Sequence, residues 1–172
     1  MTNKALILVD FEKEWIDENS EEYVENLERV IENTNKVIDF CRKEGYKIIF
    51  TRHVDNESED VWSENSEGTK LIESVNKEDS DLLIRKNRVS PFFKTSLEKE
   101  LGGIEEIVVT GILTNMCVRS LIQDAYDRDF EIIVIKDCCA AYDDEIQEFT
   151  FKDLKSTREE ITFLNSDEFI SK

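Results

Sequence analysis

The sequence lacks what would place it on a membrane, on nucleic acid or in an oxidising compartment. No stretch approaches the about 18 consecutive apolar residues of a membrane span, and the residues after Met1 lack the long apolar region and cleavage site of a signal peptide. A cytoplasmic protein is the expectation. Basic residues are few, with 22 Lys and Arg against 40 Asp and Glu and a formal net charge of −18. Affinity for nucleic acid comes largely from Lys and Arg neutralising phosphates, and docking on anionic lipid needs the same charge. Neither partner fits; a solvated acidic surface does. Cysteines number four, Cys41, Cys117, Cys138 and Cys139, at spacings that match no zinc or redox pair. In a reducing cytosol they read as buried small hydrophobes, with Cys138 and Cys139 pointing opposite ways if their segment is extended. There is one proline and one histidine. A cysteine nucleophile assisted by the usual histidine would have to use His53, which falls in a polar stretch away from the strand ends discussed below.

What remains is an ordinary globular composition: 172 residues, 40% hydrophobic and 36% charged, with a mean hydropathy of −0.47. One domain over residues 1–172 is the natural reading. Short β-rich runs alternate with longer amphipathic stretches. The runs are ALILVD (5–10), YKIIFT (46–51), DLLIRK (81–86), EIVVTG (106–111), EIIVIKD (131–137) and ITFLN (161–165). Most are continuously apolar rather than alternating, which suits strands covered on both faces. Between the first two, Val30, Ile31, Val37, Ile38 and Cys41 form one helical stripe, with Gly45 as its stop. After Gly111, Val118, Leu121, Ile122 and Ala125 follow the spacing of a helix. Residues 144–158 predict another, with Ile146, Phe149 and Leu154 inward. The stretch 52–80 is polar, acidic and weakly periodic, and a loop of that size is often functional. The fold class is α/β: a three-layer α/β/α arrangement around a mainly parallel, Rossmann-like sheet of about six strands. Ligands in such folds sit at the C-terminal ends of the strands.

That rule singles out three residues. The first run ends at Asp10, the third at Lys86, and the fourth at Gly111, with Cys117 in the first turn of the helix that follows. A free thiol has a pKa near ~8.5 and needs help to act as a nucleophile. A helix N-terminus and a nearby Lys both favour thiolate. A carboxylate can take the thiol proton and pass it to a leaving amine. A sharp turn at GILTNMC can aim backbone N–H groups at an oxyanion.

Three motifs resemble the isochorismatase-like cysteine hydrolases, a family that includes nicotinamidases and carbamoylsarcosine and ureidoacrylate amidohydrolases. LILVDFEKEW resembles the first strand with its catalytic Asp. IRKNRVSPFFKTSLEKEL resembles the Lys segment, with its Ser-x-Phe and Thr-x-Leu. VVTGILTNMCVRSLIQDAYDRDFEIIVIKDCCAAY resembles the nucleophile segment. The resemblance implies Asp10 as general base and acid, Lys86 as the thiolate's partner and Cys117 as nucleophile. It implies a cis peptide at Ile112–Leu113 and an oxyanion hole from the backbone N–H groups of Leu113 and Cys117. It further implies hydrolysis of a C–N bond in a small-molecule substrate through a thioester, no cofactor, and a homo-oligomer.

Departures from the family pattern shape the expectations for the pocket. Glu12 replaces a family Gln, and a charged Glu12 would change the pocket's polarity. Trp15 stands where the family has Phe and would wall the pocket. Nicotinamidases hold a metal with an Asp-x-His pair and further His ligands; here the order is reversed, His53-x-Asp55, and no second His exists. No metal is therefore expected, and His53 reads as a residue near substrate or solvent. Trp62 is either a lid over a planar substrate or a packing residue. Arg119 either binds a substrate carboxylate or pairs with Asp124. Two other readings stay open beside the amidohydrolase: a redox sensor built on a low-pKa Cys117, and a metal-dependent nicotinamidase. A catalytically silent binding protein would have no chemical need to retain all three of Asp10, Lys86 and Cys117.

Overall fold

The computed structural model describes residues 2–55 and 60–172. Met1 and residues 56–59 of the polar stretch lie outside the described residues. Six strands form one sheet: β1 (Lys4–Val9), β2 (Lys47–His53), β3 (Leu82–Lys86), β4 (Glu106–Ile112), β5 (Glu131–Ala140) and β6 (Thr162–Leu164). Their order is β3-β2-β1-β4-β5-β6, and every pairing is parallel. Each apolar run noted in the sequence is a strand. β5 extends beyond its run to include both adjacent cysteines.

Alternate residues of each strand feed two separate cores, as the two-residue period of a strand requires. Leu6 and Leu8 of β1 pack with α1 (Leu27–Lys43) and α5 (Ser166–Ile170) through Val37, Ile38, Cys41 and Phe169. Ala5, Ile7 and Val9 pack on the other face with α2 (Leu97–Glu100), α3 (Arg119–Tyr126) and α4 (Asp144–Thr157) through Leu97, Leu121, Ile122 and Leu154. Cys138 joins the first core and Cys139 the second. This is the three-layer α/β/α arrangement.

Local chemistry sets the helix ends. α1 stops where Gly45 takes φ 76; Gly45 N donates to the Arg42 carbonyl and Tyr46 N to that of Cys41, capping the last turn. Asp143 caps α4 by accepting the Ile146 amide at 2.7 Å. One inward assignment on α4 is overturned: Phe149 is 65% exposed, whereas Thr150 and Leu154 are buried. At about 100° per residue, Phe149 lies on the opposite side of the helix from Leu154. The Leu154 stripe runs through Thr150 instead.

The described part of the polar stretch after β2 is tied to the sheet. Arg52 donates to the Thr69 carbonyl at 2.5 Å, to Thr69 Oγ1 at 2.6 Å and to the Glu64 carbonyl at 2.7 Å. Leu71 bridges Glu12 in an antiparallel pair, and Ile72 and Val75 enter the first core. Among the described residues no helix is long and apolar enough to cross a membrane.

Candidate active site

Strand order and register build the site. β1 is the central neighbour of both β2 and β4, so the chain changes direction across the sheet there. A crevice opens at the carboxyl ends of such strands. Register sets His53 opposite Lys86 and Val9 opposite Gly111. β1, β2 and β3 therefore deliver Asp10, His53 and Lys86 to one rim.

Asp10 sits just past β1 with φ 53, a left-handed conformation that Asp tolerates better than most side chains. Its amide donates to Thr51 Oγ1 at 3.2 Å, and the Thr51 hydroxyl donates back to Asp10 Oδ1 at 2.6 Å. Trp15 Nε1 donates to the Asp10 carbonyl at 2.8 Å. Thr51 is the residue that sequence reading missed. Its only signal was a hydroxyl at the end of an otherwise apolar strand.

The Lys86 side chain is fully buried, and its Nζ lies 2.7 Å from Asp10 Oδ2. The same nitrogen donates to Cys117 Sγ at 3.3 Å and to the Arg88 carbonyl at 3.2 Å. It is 3.2 Å from His53 Nδ1. An ammonium has no lone pair, so His53 Nδ1 is the acceptor in that contact. Burial works against the Lys86 charge, but Asp10 and Cys117 outweigh it and hold its pKa above the ordinary value. Burial, then the Lys86 ammonium, lower the pKa of His53 and keep it neutral. His53 therefore belongs to the rim, not to a distant loop: β2 runs two residues past the apolar run that announced it.

Cys117 lies in a π-helical turn, Thr114–Val118, ahead of α3. Thr114 Oγ1 donates to Gln147 Oε1 at 2.6 Å and Gln147 Nε2 to the Cys139 carbonyl at 2.9 Å, tying the turn to α4 and β5. The peptide bond preceding the turn, Ile112–Leu113, is cis. Burial pushes the Cys117 thiol up to about 12; the Asp10 carboxylate adds to the rise and Lys86 opposes it. The expected low-pKa thiolate is thus corrected. Desolvation and a neighbouring carboxylate outweigh one ammonium, and the α-helix proper begins after the thiol.

The remaining residues separate. Trp15 is buried and packs on Trp62 with ring centres 5.0 Å apart and planes tilted by 51°; Trp62 meets the His53 ring edge-on at 5.6 Å. Trp62 thus packs on the scaffold and borders the rim at once. Arg119 pairs with the Asp153 carboxylate of α4. It does not pair with Asp124, because five residues along a helix turn two side chains roughly 140° apart. Asp124 instead accepts from Ser90, in the segment that follows Lys86. Glu12 is fully buried, and burial first, Asp10 second, raise its carboxyl well above the usual range. That corrects the expectation of a charged Glu12. A cavity of about 210 Å³ opens beside Lys86, bordered by Val54, Arg85, Phe93 and Lys94. A nicotinamidase-type metal does not fit these residues. His53 Nδ1 is turned to an ammonium, and the described residues contain no cluster of three or more His, Cys, Asp or Glu side chains able to hold an ion.

Comparison with known proteins agrees with this architecture. The isochorismatase domain family matches residues 4–164. Nicotinamidase 3 of Arabidopsis thaliana is 26% identical over 131 residues, covering 67% of this chain and 66% of that protein. Ureidoacrylate amidohydrolase RutB of Methylorubrum extorquens is 39% identical over 69 residues, 39% of this chain and 28% of that protein. A cysteine hydrolase from Pseudomonas syringae superposes with a TM-score of 0.90 at 20% identity, covering 99% of this chain and 93% of that one.

Proposed function

The chain belongs to the isochorismatase-domain family of hydrolases, and on that premise we propose that it is a cysteine amidohydrolase cleaving a C–N bond of a small amide, carbamoyl or ureido substrate. One observation carries the reading: Lys86 Nζ stands 2.7 Å from Asp10 Oδ2 and 3.3 Å from Cys117 Sγ, out of solvent. A buried acid and amine in contact with a half-buried thiol have a use in nucleophilic catalysis.

Chemistry follows from the charges. Asp10 takes the Cys117 proton. That single transfer removes the carboxylate charge that opposes thiolate and leaves Lys86 alone facing the sulfur. Sγ attacks the substrate carbonyl carbon, and the developing oxyanion is received by the backbone N–H groups of Leu113 and Cys117. The intermediate collapses, the C–N bond breaks, and Asp10 returns the proton to the departing nitrogen. Water gives a proton to Asp10 and attacks the thioester. Loss of the carboxylic acid product leaves a thiolate, which is reprotonated from Asp10. Lys86 keeps its proton throughout. The raised thiol pKa speaks against a sensor that depends on resting thiolate.

Ammonia release from a panel of small amides, carbamoyl and ureido compounds tests this, read beside Cys117→Ala with and without chelator. We expect turnover to fall by roughly 10³-fold or more in Cys117→Ala and to ignore chelator. Mass spectrometry of the quenched native enzyme should show an acyl adduct on Cys117. Turnover that survives in Cys117→Ala would sink the proposal.

A further inference from the structure

Glu12 is a fully buried ionisable group that this mechanism does not use. Asp10 turns the chain at the end of β1, and Glu12 N donates to the Asp10 carbonyl at 2.9 Å, folding Glu12 beneath the ends of β1 and β2. Its Oε1 accepts the His53 amide at 2.5 Å. Its Oε2 is buried without a hydrogen-bond partner among the described residues. Glu12 thus holds the His53 backbone, the His53 ring meets the Lys86 ammonium, and Asp10 pairs with the same ammonium.

The charged groups around Glu12 decide its state. Asp10 faces it from the end of β1, Arg52 and His53 from β2, and Lys86 from β3; the Leu71 segment pairs with its backbone. Arg52 is engaged with Thr69 and Glu64, and Lys86 is engaged with Asp10. A second buried carboxylate would find no cation left to itself, and ionising a buried, unpaired carboxyl is costly.

Resting on the amidohydrolase reading, we propose that Glu12 is a positioning residue that works as a neutral carboxylic acid, holding His53 and through it Lys86 against Cys117, and that its ionisation disarms the site. The ionised form sets a second negative charge beside Asp10. Lys86 is then drawn toward two carboxylates, and thiolate formation at Cys117 is disfavoured.

The test does not need a substrate. Carboxyl-labelled glutamate would be followed by carbon NMR against pH in the native protein and in Glu12→Gln, and Cys117 alkylation by iodoacetamide would be timed across the same range. One glutamate signal, absent from Glu12→Gln, should titrate well above the ordinary carboxylate range. Alkylation rates of the two proteins should match below that titration. Above it, Glu12→Gln should react faster by about threefold or more, because half a unit of thiol pKa changes the thiolate fraction by that factor. A Glu12 signal that titrates in the ordinary carboxylate range would overturn the proposal. So would parallel alkylation profiles with no divergence, which is what a merely structural Glu12 would give. If the divergence is present but no amide is turned over by any protein, the control of Cys117 by Glu12 stands and the amidohydrolase reading fails.

Discussion

At the scale of residues, the site is a problem in where one proton resides. Cys117 is held as a thiol by desolvation and by Asp10, and Lys86 alone does not reverse that. A counter-intuitive result follows for Asp10→Asn. Removing the carboxylate removes a cause of the raised thiol pKa and leaves the ammonium beside the sulfur. Amide turnover should vanish with the base, while iodoacetamide should label Cys117 faster at neutral pH than in the native protein. Slower labelling of the variant would show that the ammonium does not govern the sulfur. The three other cysteines are buried and likewise pushed up, so labelling in folded protein should be confined to Cys117. Thr51 belongs to this scale too, since its hydroxyl orients the Asp10 carboxylate.

Elements place those residues, and the junction of β1 with β4 is a close one. Gly111 has φ 142, and a Cβ built there would lie 2.4 Å from the Val9 carbonyl oxygen and 2.5 Å from Val9 Cβ. Both neighbours lie on a central strand, where neither can swing away. Gly111→Ala should therefore destabilise the protein by about 3 kcal/mol, read as a lower denaturation midpoint. Because Val9 precedes Asp10, the surviving folded fraction should also lose turnover through a displaced base. A variant as stable and as active as the native chain would mean that the strands can part without cost. The π-helical turn works on the same principle: its ties to Gln147 and, through it, to Cys139 fix where Cys117 stands before α3 begins.

For the whole molecule, the net charge of −18 opposes compaction through self-repulsion, which salt screens. The melting temperature should rise by several degrees between about 20 mM and about 500 mM sodium chloride, where the screening length falls from roughly 20 Å to roughly 4 Å. A flat or falling melting temperature would show that local ion pairs, such as that between Arg42 and Asp81, dominate the electrostatics instead. The charge is not uniform in effect. The cavity beside Lys86 is bordered by Arg85 and Lys94 and also by Glu64, which pairs with Arg85.

Much of this was already legible in the chain. Apolar runs announced the six strands, most plainly β1, β2 and β4, where burial on both faces leaves no polar alternation to read. Gly45 and the apolar stripe of α1 announced that helix and its end. The ends of the apolar runs singled out Asp10, Lys86 and Cys117, and motif resemblance gave them their expected roles. The side of α4 occupied by Phe149, the partner of Arg119 and the place of His53 were decided only by the fold. Each depends on an angle around a helix or on how far a strand runs beyond its apolar core. Protonation states were the least legible of all. Glu12 and Cys117 are ordinary titrating groups in a sequence. Only burial, with Asp10 beside each of them, pushes both pKa values up, because desolvation is a property of packing and not of composition.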